Sequence, residues 1–259
     1  MLRTADKRQF TGRHVSHAGS FGKLYRLPYS QYPTVVPDLG WFDAAPWRSI
    51  LDGGSIDNFV LSGSTVTAWR DRLGLNGTKT KGGTVSFDRT LHRLPVVTFP
   101  AGGAENYVQI QGMPVSARPY SVFLAGQITD FSTYRSFIGS SSGSGFAWRV
   151  NPSGQFEVLN SGVAIRATSA LTITAGVPFV AGEVLTTTDI THYVNGTGET
   201  DSNNTAIPIV SGACQIGADT SPAGTAPYEG WLGEVMFFST ALSSGDAALV
   251  TEYLTRKWL

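Results

Sequence analysis

The sequence predicts an all-β fold: a two-sheet antiparallel sandwich, preceded by an extended N-terminal arm and closed by one C-terminal helix. Three observations carry that expectation. Gly (30) and Pro (13), with many Ser and Thr, punctuate short apolar runs, the texture of a chain rich in strands and turns. Residues 1–38 show neither sustained alternation nor a helical stripe. Helical period appears in one place, the last stretch of the chain.

The arm comes first. Residues 1–38 carry six basic groups and two acidic ones, Asp6 and Asp38, a net of +4, although the whole 259-residue chain is neutral. Its aromatics are spread among Gly12, Gly19, Gly22, Pro28, Pro33 and Pro37; Phe21, Tyr25 and Tyr29 are four apart, but Pro28 would break a helix joining them. From Leu39 the texture changes to strands. STVTAWRD (64–71), LPVVTFP (94–100), PYSVFLAGQI (119–128), RSFIGS (135–140), GFAWRVN (145–151), GQFEVLN (154–160), PFVAGEVLT (178–186), ITHYVNG (190–196), ACQIG (213–217) and GWLGEVMFFS (230–239) each join β-branched or aromatic residues to turn formers at their ends. Asn195-Gly196 signals a hairpin, and Asn151-Pro152-Ser153-Gly154 a turn between two runs. Ten such runs need partners, and two packed antiparallel sheets supply them. At the end, Ser243 is an N-cap with Asp246 three residues on. Leu249, Val250, Tyr253, Leu254 and Trp258 then fall on one helical face, and Arg256 and Lys257 suit the negative end of the helix dipole.

Composition excludes several function classes. With 19 basic and 19 acidic residues, no basic excess points to a nucleic-acid partner. No apolar run approaches the roughly eighteen residues of a membrane span, and Asp6, Lys7 and Arg8 stand where a secretory signal would place its apolar core, so no export signal is expected. The single cysteine, Cys214, allows no intramolecular disulfide and reads as a small core residue.

Two segments carry a resemblance. WFDAAP (41–46) with GSTVTAWRDRLG (63–74), and GWLGEVMFFSTALSSGDAALVTEYLTRKWL (230–259), are similar to the opening and closing motifs of concanavalin A-like, laminin G-like jelly-roll domains; LPVVTF, YSVFLAG, SFIGSSSGSG and APYEGW (226–231) fall between them in the family's order. The resemblance covers about 39–259 and omits the arm. It implies a curved jelly roll whose first and last strands are adjacent, capped by the terminal helix. The fold hosts lectins, glycan hydrolases, adhesion modules and viral structural proteins alike.

Catalysis finds little footing. The family's glucanases use an E-x-D-x-x-E strand, which this chain lacks. Glu199 and Asp201 have the spacing of a retaining glycosidase pair, but GTGETDSNN reads as a hairpin tip that would leave both solvated with ordinary pKa values. His14, His17, His92 and His192 meet no G-x-S-x-G motif, and His192, alternating with Ile190 and Val194, reads as a partly buried structural residue. No cofactor is expected. Calcium is the one metal the resemblance raises, with oxygens at Asp201-Ser202-Asn203-Asn204 and Gly217-Ala218-Asp219-Thr220; neither segment alone supplies the six to eight oxygens calcium takes, and solvated turns are the expectation. For sugars, Trp69, Trp148, Trp231 and Trp258 read as core. This leaves Tyr134 and Arg135 beside Phe131, with Arg149, as an exposed glycan-binding rim, and Trp47 in a similar position after the first strand.

These readings converge on a non-enzymatic structural and binding module. The arm, through Phe10, Arg13, Phe21, Tyr25, Arg26, Tyr29 and Tyr32, would hold the sandwich to copies of itself and to a larger particle. An unexported jelly roll with a docking arm resembles bacteriophage virion proteins assembled in the host cytoplasm, such as a capsid decoration protein or a short tail-fibre or adaptor protein, with a capsid or tail protein as partner. Recognition of host surface polysaccharide is the alternative, and glycan cleavage a third reading.

Overall fold

The computed structural model describes residues 35, 37–38, 40–43, 59–62, 65–69, 77–81, 86–91, 94–101, 106–111, 119–140, 146–160, 164–202, 214–218 and 226–259. Among them are seventeen strands and one helix: β1 (Gly40–Asp43), β2 (Phe59–Ser62), β3 (Thr65–Trp69), β4 (Gly77–Lys81), β5 (Ser86–Leu91), β6 (Leu94–Phe99), β7 (Tyr107–Gln111), β8 (Tyr120–Ile128), β9 (Arg135–Ser140), β10 (Phe146–Val150), β11 (Gln155–Asn160), β12 (Ala164–Thr172), β13 (Phe179–Leu185), β14 (Ile190–Val194), β15 (Thr197–Asp201), β16 (Cys214–Ile216), β17 (Gly230–Phe238) and α1 (Ser244–Trp258). All ten runs expected from sequence are strands. The arm residues Phe10, Arg13, Phe21, Tyr25, Arg26, Tyr29 and Tyr32 lie outside the described residues.

The strands form two antiparallel sheets. The first runs β15-β14-β13-β8-β17-β6-β5-β3-β2, with β1 also on β17; the second runs β12-β11-β10-β9-β16-β7-β4. β17 is the axis of the first sheet. One edge pairs with β8 along its length. The other edge is shared: residues 230–232 pair with β6 and residues 234–237 with β1. The opening and closing strands are therefore neighbours, as the resemblance implies.

Between the sheets lies an aromatic core. Phe137 stacks on Phe156 at 5.7 Å and packs edge-on against Phe179, and Trp148 of β10 and Tyr228, just before β17, complete the cluster. Each such side chain taken from water contributes on the order of 2 kcal/mol before the entropic cost of ordering it. Cys214 is buried there too, and burial pushes its thiol up to about 12; it is an inert core residue.

The open edges of the two sheets are clipped together. Glu199 of β15 accepts from the Ser169 hydroxyl at 2.7 Å and from the backbone N–H of Ala170 at 2.7 Å and Leu171 at 3.2 Å, all on β12 of the other sheet. This corrects the sequence expectation. The hairpin turn is Asn195-Gly196, both at positive φ (47° and 89°), with the Asn195 side chain accepting from Val180 N–H; residues 197–201 continue as a paired strand. Glu199 is thus not solvated at a tip, and those donors, Ser169 foremost, hold its carboxyl below the usual range.

α1 packs across β8 and β13. The Ser243 hydroxyl accepts from Asp246 N–H at 3.1 Å, the expected cap. Two expectations change here. Leu249 is 42% exposed, and Lys257 is buried. Glu234 of β17 explains the second: its carboxylate accepts from Lys257 Nζ at 2.7 Å, Trp258 Nε1 at 2.9 Å and Tyr253 OH at 3.1 Å. Gly233 makes room, because a Cβ there would stand 2.5 Å from the Trp258 ring. No helix among the described residues is long and apolar enough to cross a membrane.

Candidate functional site

The rim expected from sequence is built where β8 gives way to β9 and where β10 turns into β11. Asn151 shapes the second turn. Its Oδ1 accepts from Ser153 N–H at 2.9 Å and Gln155 N–H at 3.1 Å, and Gly154 takes φ 78°, a conformation L side chains rarely adopt. The tight turn sets the register that places Arg149 directly across from Glu157, on the face opposite the buried Trp148. Arg149 Nε donates to Glu157 Oε2 at 2.9 Å, and Asn151 Nδ2 donates to Glu157 Oε1 at 3.1 Å and Gln155 Oε1 at 3.2 Å. The guanidinium lies 3.8 Å from the centroid of the Tyr134 ring, inside the range of a cation–π contact.

Arg149 is therefore positioned twice, by a carboxylate on Nε and by an aromatic face. Its Nη groups have no partner among the described residues. Its side chain is 15% exposed and that of Glu157 is 5%. Together these residues form a planar cation on an aromatic ring, flanked by two carboxamides, at the surface of a rigid hairpin.

Arg135 has a different fate from the one expected. Its side chain is 3% exposed, not a surface contact. Nη2 pairs with Glu229 Oε2 at 2.9 Å and Asp130 Oδ2 at 3.1 Å, Nε donates to the Asp130 carbonyl at 3.1 Å, and Nη1 reaches the Pro227 carbonyl at 3.5 Å. The strand-to-strand crossing compels this: Ser136 N–H and Thr129 N–H bond the 226–229 segment, and the guanidinium fills the gap between the two segments. Arg135 is a staple that fixes the Tyr134 backbone. Asp130 is held below the usual carboxylate range, first by the Ser132 hydroxyl and N–H and then by Arg135.

Other sequence candidates are not brought to this rim. Trp69, Trp148 and Trp258 are fully buried, as expected. Trp231 is not: it is half-buried at the surface, its Nε1 donating to Gln127 Oε1. Trp47, His14, His17 and His92 lie outside the described residues. His192 is fully enclosed rather than partly buried, with Nδ1 2.7 Å from Glu183 Oε1. Sequence reasoning passed over Glu157, Asn151 and Gln155. Their signal was available, because counting back from the Asn-Pro-Ser-Gly turn pairs Arg149 with Glu157.

The carboxylates form no accessible acid/base pair among the described residues. Burial raises the Glu183 carboxyl, against the pull of His192, but Glu183 has no exposed surface; Glu199 is pulled the other way and bound by three donors. No group of three His, Cys, Asp or Glu side chains among the described residues could hold a metal ion. Of the calcium candidates, Asp201 ends β15 and Ser202 follows it, and the Gly217 carbonyl accepts from Tyr228 N–H at 2.9 Å, while Asn203, Asn204, Asp219 and Thr220 lie outside the described residues.

A family model described as the concanavalin A-like lectin/glucanases superfamily, of laminin G type, matches residues 102–248. Domain 4 of a GH43 extracellular arabinanase from Geobacillus stearothermophilus, solved in complex with arabinotriose, is similar at 16% identity and a TM-score of 0.54, over 69% of this chain and 90% of that one. The binding domain of botulinum neurotoxin DC in complex with SialylT is similar at 13% identity and a TM-score of 0.55, over 76% of this chain and 51% of that one. The botulinum neurotoxin type G receptor binding domain gives 8% identity and a TM-score of 0.57, over 84% and 51%. The chain spans about half the length of these toxin domains, and at such identities the likeness is one of fold. No curated protein sequence matches the chain.

Proposed function

Because the chain belongs to the concanavalin A-like lectin/glucanases superfamily, we propose that its sandwich is a non-catalytic carbohydrate-binding module that grips a glycan at the Tyr134–Arg149 rim. One observation carries this reading: Arg149 is tethered by Nε to Glu157 at 2.9 Å and stacked 3.8 Å over Tyr134, with its Nη donors left for a ligand. Pyranose and furanose rings offer hydroxyl oxygens to such donors and C–H faces to such rings, and the two carboxamides add further donors and acceptors. Among fold neighbours, the arabinanase domain with arabinotriose and the toxin domain with SialylT support a sugar ligand. The sealed Glu183 and the tied Glu199 speak against glycan cleavage, and no metal or cofactor is needed to bind.

Glycan-array and calorimetric binding test this. Tyr134→Ala should weaken the captured glycan about tenfold or more, the usual cost of removing an aromatic anchor, while the melting temperature stays near that of the wild type. A wild-type protein silent across bacterial surface glycans would overturn the reading.

The charge division favours a second, compatible role. The +4 aromatic arm of residues 1–38 would dock the sandwich on an assembly bearing acidic patches and on copies of the chain itself. This is the organisation of a bacteriophage virion protein, a capsid decoration or short tail-fibre or adaptor protein, built in the host cytoplasm and displaying a receptor-binding domain. Neither membrane nor nucleic acid belongs among its partners.

A further inference from the structure

We infer that the glycan held at the Tyr134–Arg149 rim is uncharged. This rests on the lectin reading above and specifies its substrate class. A site for sialic or uronic acids needs positive charge that is not already spent. Among the described residues two guanidinium groups stand at this rim, and each already faces a carboxylate. Arg149 carries Glu157 at 2.9 Å. Arg135 carries Glu229 at 2.9 Å and Asp130 at 3.1 Å, donates from Nε and Nη1 to the Asp130 and Pro227 carbonyls, and is sealed from solvent. Among the described residues, two cations stand against three carboxylates, a formal −1. Its most accessible ionised member is negative: Asp130 is 47% exposed and held ionised by Ser132.

Burial sharpens the effect. Glu157, 5% exposed, is poorly screened by salt, so an incoming carboxylate reaching for the Arg149 Nη groups would meet the Glu157 charge through the same guanidinium. A hydroxyl oxygen meets no such opposition. Sugar hydroxyls both donate and accept, which suits the mixture offered here: Arg149 N–H donors, the half-exposed Gln155 amide, carboxylate acceptors and the Tyr134 ring.

The test uses the full chain, titrated at fixed physiological salt with two neutral polysaccharides, dextran and linear arabinan, and two anionic ones, polysialic acid and alginate. Because the basic arm can attract any polyanion, the quantity read is the binding lost in Tyr134→Ala. Tyr134-sensitive binding to a neutral polymer, at least about tenfold stronger than to either anionic one, is expected. Glu157→Gln should then shift the preference toward the anionic polymers by about the same factor. Tyr134-sensitive binding that favours polysialic acid or alginate would overturn the inference and leave the lectin reading standing. Absence of Tyr134-sensitive binding to all four would overturn the rim itself, and the inference with it.

Discussion

Glu183 and His192 face one another across β13 and β14 with no solvent at either side chain. Burial pushes the imidazole down, but the carboxylate 2.7 Å away, helped by Glu199 and Asp201, outweighs it and holds His192 above its ordinary value. Burial also raises Glu183, which faces the Trp148 indole on its other side. Both shifts have the same sign. The folded state binds protons more tightly, so the His192 contribution is complete below the unfolded histidine value of about 6.5, that of Glu183 below the unfolded glutamate value of about 4.3, and each is lost as pH rises through its folded pKa. Glu199 is opposite: its depressed pKa stabilises above the unfolded value of about 4.3 and is lost as pH falls through the folded one. Urea midpoints between pH 3 and 9 should therefore fall at both ends. Glu183→Gln should flatten the alkaline limb and spare the acid limb; an unchanged alkaline limb would refute the assignment. His192 was legible as structural from its alternation with Ile190 and Val194. Glu183 was not, since its burial depends on which strand arrives beside β13.

The helix shows the same division at the scale of an element. Its cap, its length and most of its packed face follow from sequence spacing. The burial of Lys257 does not, because Glu234 lies 23 residues away and reads as the polar position of an alternating strand. Removing one partner of a buried pair costs about 3–5 kcal/mol, whereas replacing both by apolar groups can be nearly neutral. Lys257→Met should accordingly destabilise by about that amount in urea denaturation, and adding Glu234→Leu should recover part of the loss even though Tyr253 and Trp258 lose their acceptor. A double variant worse than Lys257→Met would show that the carboxylate matters more as a hub for the three donors than as a partner for one. Strands divide likewise. β7 alternates Val108 and Ile110 with glutamines, a strand pattern too short to stand among the ten expected runs. β4 (GTKTK) and β15 (TGETD) carry no apolar face of their own and are strands because neighbours pair them.

For the whole molecule, the boundary between arm and sandwich is the point of interest. Val35 packs on the core, Pro37 is buried, and Asp38 accepts from Ser239 N–H at 2.7 Å. The last residues of the segment read as an arm are thus docked on the end of β17. Deleting residues 1–34 should leave cooperative unfolding intact, while deleting 1–38 should lower the melting temperature by several degrees, the equivalent of about 1 kcal/mol. In the virion reading, the shorter deletion alone should abolish incorporation into the particle; retained incorporation would sink that role. The meeting of first and last strands was legible only through family motifs, because Gly40 and its partner Phe237 stand 197 positions apart (237 − 40) and no local pattern spans that distance. The rim was half legible: the turn and the Arg149 face are local, but Arg135's burial depends on segment 226–229 arriving from far along the chain.

The position of β17 has a consequence in time. It follows every other described strand in the chain, yet it is the one on which β8, β6 and β1 all pair. Until the ribosome has released it, the first sheet exists as two halves with unpaired inner edges and an aromatic interior open to water. Contacts this distant in sequence make folding slow, and exposed strand edges invite association with other nascent chains. The first sheet therefore closes only after Gly230–Phe238 has been made. A fragment ending before Gly230 should behave as an aggregation-prone intermediate rather than as a smaller lectin.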